Sequence, residues 1–408
     1  MRLYKFKYSL LAKGFLLIFS MHFCELYSQQ ALTCNLKDSA ACLSIVKYPG
    51  SEIILNKLLE CETPIIVTKT PLLADMDHDC IPELLYQDND NLAVLVFDSK
   101  SGALKYKIET YNICGHNGFA VADVNYDGYP EVFIVASFYF INPIQIQGKL
   151  ICYDHLGNLQ WISDERVDLN EKGETTRIFG SPGLADFNQD GIPEIYISNK
   201  IFNALTGNLL VQGVGDGIGL VDRNRFGLNR TISVAAQLDQ NIGDLELAAG
   251  YTIYKVNISN TVGTIGNVMT PFNIMIDGNL YDGATTMGDI NNDGFLDVIV
   301  SCPYTPGRTL LYVYNLINGV TNLLCNVSIA NDLEISSPGF VGNIKGNGMP
   351  SILVTTNKTI SSYSFDGSQF LLLDFDLATT DSSGATGIAF FDLNNNGFQE
   401  IIYRDQTH

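Results

Sequence analysis

From about residue 65 onward the chain alternates short apolar runs, rich in Val, Ile, Leu, Phe and Tyr, with clusters of Asp, Asn, Gly and Pro. Runs of this kind, bounded by turn residues, predict β-strands. No helical period is sustained between them, which points to an all-β chain.

One polar cluster recurs. It reads ADMDHDCIPELLY from Ala74, ADVNYDGYPEVFIV from Ala122, ADFNQDGIPEIYIS from Ala185 and AQLDQNIGDLELAAG from Ala236. It continues as GDINNDGFLDVIV from Gly288, GNIKGNGMPSILV from Gly342 and FDLNNNGFQEIIY from Phe391. The leading positions are 75, 123, 186, 237, 289, 343 and 392, spaced by 48, 63, 51, 52, 54 and 49 residues. Such a period marks a repeat architecture.

Downstream of the acidic stretch, most units carry a hairpin with a glycine in its turn: VFDSKSGALKY from Val96, CYDHLGNLQW from Cys152, IFNALTGNLL from Ile201, VYNLINGVTNLL from Val313 and YSFDGSQFLLL from Tyr363. Each unit therefore predicts four short strands, with the acidic loop between the first and second. Four-stranded antiparallel units repeated radially make the blades of a β-propeller, and seven copies predict seven. The last copy reaches His408 without a hairpin. IVKYPGSEIILNKL, from Ile45, resembles the sixth hairpin, so residues 44–60 are expected to complete the last blade and close the ring, removing two sheet edges. The alternative is a separate N-terminal cap on a chain that continues beyond His408.

The loops carry the chemistry. Oxygen side chains at positions 1, 3, 5 and 9, a carbonyl at 7 and glycine at 6 suit a hard cation that takes six to eight oxygens, and favour calcium over magnesium. An acid at position 9 followed by a strand differs from an EF-hand, which ends on Glu at 12 and is flanked by helices. The first copy offers Asp75, Asp77, Asp79, the Ile81 carbonyl and Glu83, with Cys80 in the glycine slot. The second offers Asp123, Asn125, Asp127 and Glu131, and the third Asp186, Asn188, Asp190 and Glu194. The fifth has Asp289, Asn291, Asp293 and Asp297; the seventh has Asp392, Asn394, Asn396 and Glu400, with two charges only. In the fourth, an inserted residue disturbs the spacing of Gln237, Asp239, Asn241 and Glu246. The sixth has Asn343, Lys345, Asn347 and Ser351, with no carboxylate, and its Lys345 ammonium can stand in for the cation. The expectation is four to five structural Ca2+ sites, against a plain reading as Asp/Asn-rich turns. At extracellular affinities of about 10⁻⁴–10⁻³ M, each would add roughly 0.5–1.5 kcal/mol at millimolar calcium.

At GDINNDGFLDVIVSCP, from Gly288, the chain resembles the FG-GAP repeats of integrin alpha-chain propellers and the VCBS-type repeats of bacterial surface proteins. The resemblance covers residues 65–405 and implies a propeller with calcium loops between the first two strands of each blade. It implies no ligand. The Phe-Gly and Gly-Ala-Pro signatures survive only in part, as NGFAVAD, PGLAD and PGFVGN, so the match is nearer the bacterial style.

Residues 1–28 combine a basic start (Arg2, Lys5, Lys7) with an apolar stretch from Leu10 to Phe23, as in a signal peptide, with an N-terminal anchor helix as the alternative. Residues 29–43 form a lead segment, and 44–408 the propeller. Loss of four basic residues and Glu25 would take the net charge from −20 to −23, which opposes binding to nucleic acid or anionic membranes. No other segment is apolar enough to span a membrane. Eight cysteines remain after Cys24, and chain proximity favours Cys34–Cys42 and Cys302–Cys325 as pairs.

A ligand is expected at the end opposite the acidic loops. Candidates there are Phe138, Tyr139, Phe140 and Trp161 in the two excess loops of the 63-residue repeat, with Arg223 and Arg225 in the next connection, a combination suited to a sugar or an acidic peptide. No Ser/His/Asp order, G-x-S-x-G or phosphate loop is present. The sequence thus predicts a secreted or cell-surface adhesion or recognition module for a glycan or extracellular protein. The alternatives are a calcium-dependent carbohydrate-active enzyme of polysaccharide-lyase type and a spacer domain of a larger surface protein.

Overall fold

The computed structural model describes residues 71–403 apart from 89–92, 111–117, 137–147, 169–177, 216, 222–228, 242, 333–335, 385 and 395. The expected signal peptide, lead segment and closing hairpin of residues 44–60 lie outside the described residues. So do Phe138, Tyr139, Phe140, Arg223, Arg225 and the pair Cys34–Cys42. The chain divides into a unit of residues 54–393 and 398–408, which holds every described strand, and a small unit of residues 1–53 and 394–397.

The described residues contain strands and no helix. Six four-stranded antiparallel sheets follow one another along the chain, spanning residues 72–109, 120–166, 183–212, 234–273, 284–330 and 340–378, each with its strands in chain order. Every acidic stretch is the connection from first to second strand, as in Ala74 to Glu83, and the quoted hairpins join third to fourth. A two-stranded sheet, Ile388–Phe391 with Glu400–Tyr403, carries the last acidic loop. The connections before the third and fourth sheets add a short parallel pairing of Ile178–Gly180 with Asn229–Thr231.

The packing explains why the strands read as unbroken apolar runs. Along Glu131–Val135, Val132 and Ile134 pack toward the first sheet, while Phe133 and Val135 pack toward the third. Both faces are covered, so alternation disappears from the pattern. The same division recurs: the third sheet meets the fourth through Ile201, Leu210, Leu247 and Tyr254, and the fourth meets the fifth through Ile253, Val300 and Tyr312. The fifth packs on the sixth through Ile299, Val313, Ile352 and Val354, and the sixth on the two-stranded sheet through Leu353, Ile360, Ile388 and Phe390. Apolar cores shared by successive sheets are consistent with a β-propeller.

The expected Cys302–Cys325 disulfide is not made. Cys302 faces the fourth sheet, with its thiol 3.7 Å from the Leu310 carbonyl, whereas Cys325 faces the sixth sheet. The two thiols lie on opposite faces of one sheet. Burial pushes the Cys325 thiol up to about 12, so it is protonated and inert. Cys80 is engaged in a disulfide.

Candidate metal loops

The loops fold through their own carboxylates. The leading aspartate turns back on the bend: Asp186 accepts N–H bonds from Asp190 at 3.2 Å and Gly191 at 2.9 Å. Asp75, Asp123 and Asp289 make the same two bonds in their loops. The acid at position 5 accepts from position 7, at 2.8 Å from Ile81, Tyr129 and Ile192 and 2.9 Å from Phe295. The acid at position 9 opens the second strand and accepts the N–H of position 2: Glu83 from Met76, Glu131 from Val124, Glu194 from Phe187 and Asp297 from Ile290. Glu246 and Glu400 do the same for Leu238 and Leu393.

The bend at position 6 is left-handed, as the glycines require: φ is +91° at Gly128, +92° at Gly191 and +90° at Gly294, while Cys80 carries the strained +66°. Position 4 is left-handed as well, at His78, Tyr126, Gln189 and Asn292, although none of these is glycine. Sequence reading missed that second bend because no glycine marks it.

The loops also touch in succession. His78 Nδ1 lies 2.9 Å from the Gly128 carbonyl oxygen, and the Tyr126 hydroxyl donates to the Gly191 carbonyl. In each case position 4 of one loop reaches position 6 of the next. The Asn343 N–H donates to Gln399 Oε1 at 2.7 Å, linking the sixth loop to the seventh.

The electrostatics divide the loops. In the third, burial pushes Glu194 up to about 7, and the nearby charges of Asp190 and Asp186 push the same way. In the fifth, burial and the charges of Asp293 and Asp289 take Asp297 up to about 6, against a hydrogen bond from Asn315. Glu131 is likewise raised by burial. Among the described residues no ammonium or guanidinium pairs with the acids of these three loops. Among the described residues the three carboxylates of each of these loops do not gather as closely as those of the first and fourth loops, but an oxygen donor set with no counter-charge nearby is of the chemical kind that suits a hard divalent cation.

The first, fourth and sixth loops have a tethered cation. Lys105 Nζ lies 2.5 Å from Asp77 Oδ2 and 2.9 Å from Glu83 Oε1, within the group formed by Asp75, Asp77 and Glu83. Lys255 Nζ reaches Asp244 at 2.9 Å and Asp239 at 3.2 Å, in a second acidic group completed by Glu246. There Glu246 Oε1 is buried without a hydrogen-bond partner among the described residues, and burial pushes its carboxyl up to about 7. Lys345 pairs with Asp374 at 2.5 Å. Lys105, Asp244, Lys255 and Asp374 were not foreseen, since each lies outside the repeated spacing. In the seventh loop the Asn396 N–H donates to Asn394 Oδ1 at 3.1 Å.

Of the expected ligand-face residues, only Trp161 lies among the described ones, and it is used in packing. Its ring sits over Gly207 and near Phe133, and its Nε1–H donates to the Ala204 carbonyl at 3.0 Å. It fills the interface between the second and third sheets.

No protein-family model and no curated protein sequence matches the chain. Solved structures similar to it include the exotype rhamnogalacturonan lyase YesX, at 15% identity and TM-score 0.45, covering 83% of this chain and 59% of that one. The chain thus spans about three-fifths of that lyase. The rhamnogalacturonan lyase YesW is similar at 14% identity and TM-score 0.47, covering 83% and 70%. An Agrocybe aegerita lectin described as recognising non-reducing terminal N-acetylglucosamine is similar at 12% identity and TM-score 0.39, covering 82% and 85%. Among the described residues no helix is long and apolar enough to cross a membrane.

Proposed function

We infer that this chain is an exported, calcium-stabilised seven-bladed β-propeller that serves as an adhesion or recognition module for a glycan or extracellular protein. The carrying observation is the recurrence of an acid-lined loop between the first two strands of five of the six four-stranded sheets, on sheets that share a core with each neighbour. Repetition of the loop favours a structural ion, since catalysis would need one site only. The ions are assigned to Asp123, Asn125, Asp127 and Glu131, to Asp186, Asn188, Asp190 and Glu194, and to Asp289, Asn291, Asp293 and Asp297. For the seventh copy the assignment rests on the sequence alone. Residues 44–60 are assigned to the closing blade. The support is that the first sheet buries Ala93, Leu95 and Phe97 on the face turned from the second sheet, where a closing blade would pack.

The test is binding of the full chain to glycan and extracellular-protein arrays, with calcium or with EDTA. Retention in calcium, loss in EDTA and unchanged glycans are expected. New reducing or unsaturated ends would replace this reading with an enzyme, and no binding on either array would leave a spacer.

A further inference from the structure

In the first sheet the register between third and fourth strands slips by one between Val96 and Phe97, so Lys105 is the extra residue of a β-bulge. The slip recurs in the sixth sheet between Ser362 and Tyr363, where Asp374 is the extra residue. A bulge bends the strand and re-aims its side chain. Both side chains reach the connection between the first two strands of their own sheet.

The two sheets carry opposite charges at matching places. The first has Asp77 at loop position 3, Glu83 at position 9 and a lysine on the bulge. The sixth has Lys345 at position 3, Ser351 at position 9 and an aspartate on the bulge, where Ser364 donates to Asp374 at 2.8 Å. Each arrangement joins loop to bulge by an ion pair. At the slip in the matching place the bulge residue is Gln160 in the second sheet, Leu210 in the third and Leu324 in the fifth, none of them charged; the second sheet has a further irregularity between Lys149 and Ile151.

We propose that the Lys105 ammonium is a built-in replacement for the divalent ion in the first loop, as the Lys345–Asp374 pair is in the sixth, so that neither loop takes up calcium. This rests on the assignment of calcium to the second, third and fifth loops only for the contrast between the two classes. The physical basis is that a tethered cation already neutralises the carboxylates that would bind the ion. Adding a divalent cation would require ejecting an ammonium held by two charge-assisted hydrogen bonds.

The test counts calcium ions bound by the chelator-stripped full chain, by titration calorimetry with calcium chloride alone, with circular dichroism to verify folding. Asp186→Asn is expected to lower the count by one and Asp75→Asn to leave it unchanged. Lys105→Gln is expected to raise it by one. A lower count for Asp75→Asn, or no gain for a folded Lys105→Gln, overturns the proposal. Should the unaltered chain bind no calcium, the calcium reading fails separately, and the gain in Lys105→Gln still decides this one. Should Lys105→Gln not fold, Asp75→Asn decides.

Discussion

His78 Nδ1 sits 2.9 Å from the carbonyl oxygen of Gly128, so the fourth residue of the first loop closes on the bend of the second. A Cβ at Gly128 would stand 3.3 Å from the His78 ring, and φ there is +91°. Gly294 has nearly the same φ, +90°, with nothing near its Cβ position. Gly294→Ala should therefore report backbone strain alone, about 1 kcal/mol. Gly128→Ala should cost more, because the loop-to-loop contact must also shift. Equal losses in urea unfolding would show that this contact contributes nothing.

Calcium should oppose the pH dependence of stability. Without it, Glu194, raised to about 7, contributes stability that is present below its ordinary value and is lost as pH rises toward about 7. Asp297, raised to about 6, acts in the same direction over a lower window. The EDTA-treated protein should then melt at a lower temperature near pH 8 than near pH 5. Calcium binds the ionised carboxylates, so its stabilising effect should be larger near pH 8. Thermal melts in calcium and EDTA at the two pH values check this, and equal calcium shifts would contradict it.

Asp282 gives a second pH signal, away from the acidic loops. Its carboxylate is buried and accepts backbone N–H bonds from Gly219 at 3.0 Å, Gly283 at 3.1 Å and Ile218 at 3.2 Å. Burial takes it up to about 6 in spite of these donors. Its contribution should fade as pH rises from about 4 to about 6, and Asp282→Asn should remove that component. Asp282→Ala strands the donors and should cost roughly 2–4 kcal/mol by chemical denaturation.

Trp161 is the single tryptophan. Its position between the second and third sheets predicts that its fluorescence reports unfolding of that interface. Trp161→Ala should cost about 3 kcal/mol. A stable Trp161→Ala that loses glycan or protein binding would instead support the expected place of Trp161 on the ligand face.

What the chain determines by itself is what depends on neighbours in sequence. The acidic connection, the strand after it and the glycine turn of each hairpin lie within a few residues of one another, so backbone sterics and local hydrogen bonds write them into the repeat. Strand order within each sheet followed from those turns. The tertiary structure decided which charge each loop meets. Lys105 comes to Asp77 across 28 positions and Lys345 to Asp374 across 29, each through a one-residue slip that no local pattern marks. The same register sent Cys302 and Cys325 to opposite faces and packed the half-buried Trp161 against a core. A side chain's partner across a sheet depends on pairing register, and register is settled only when the sheets pack.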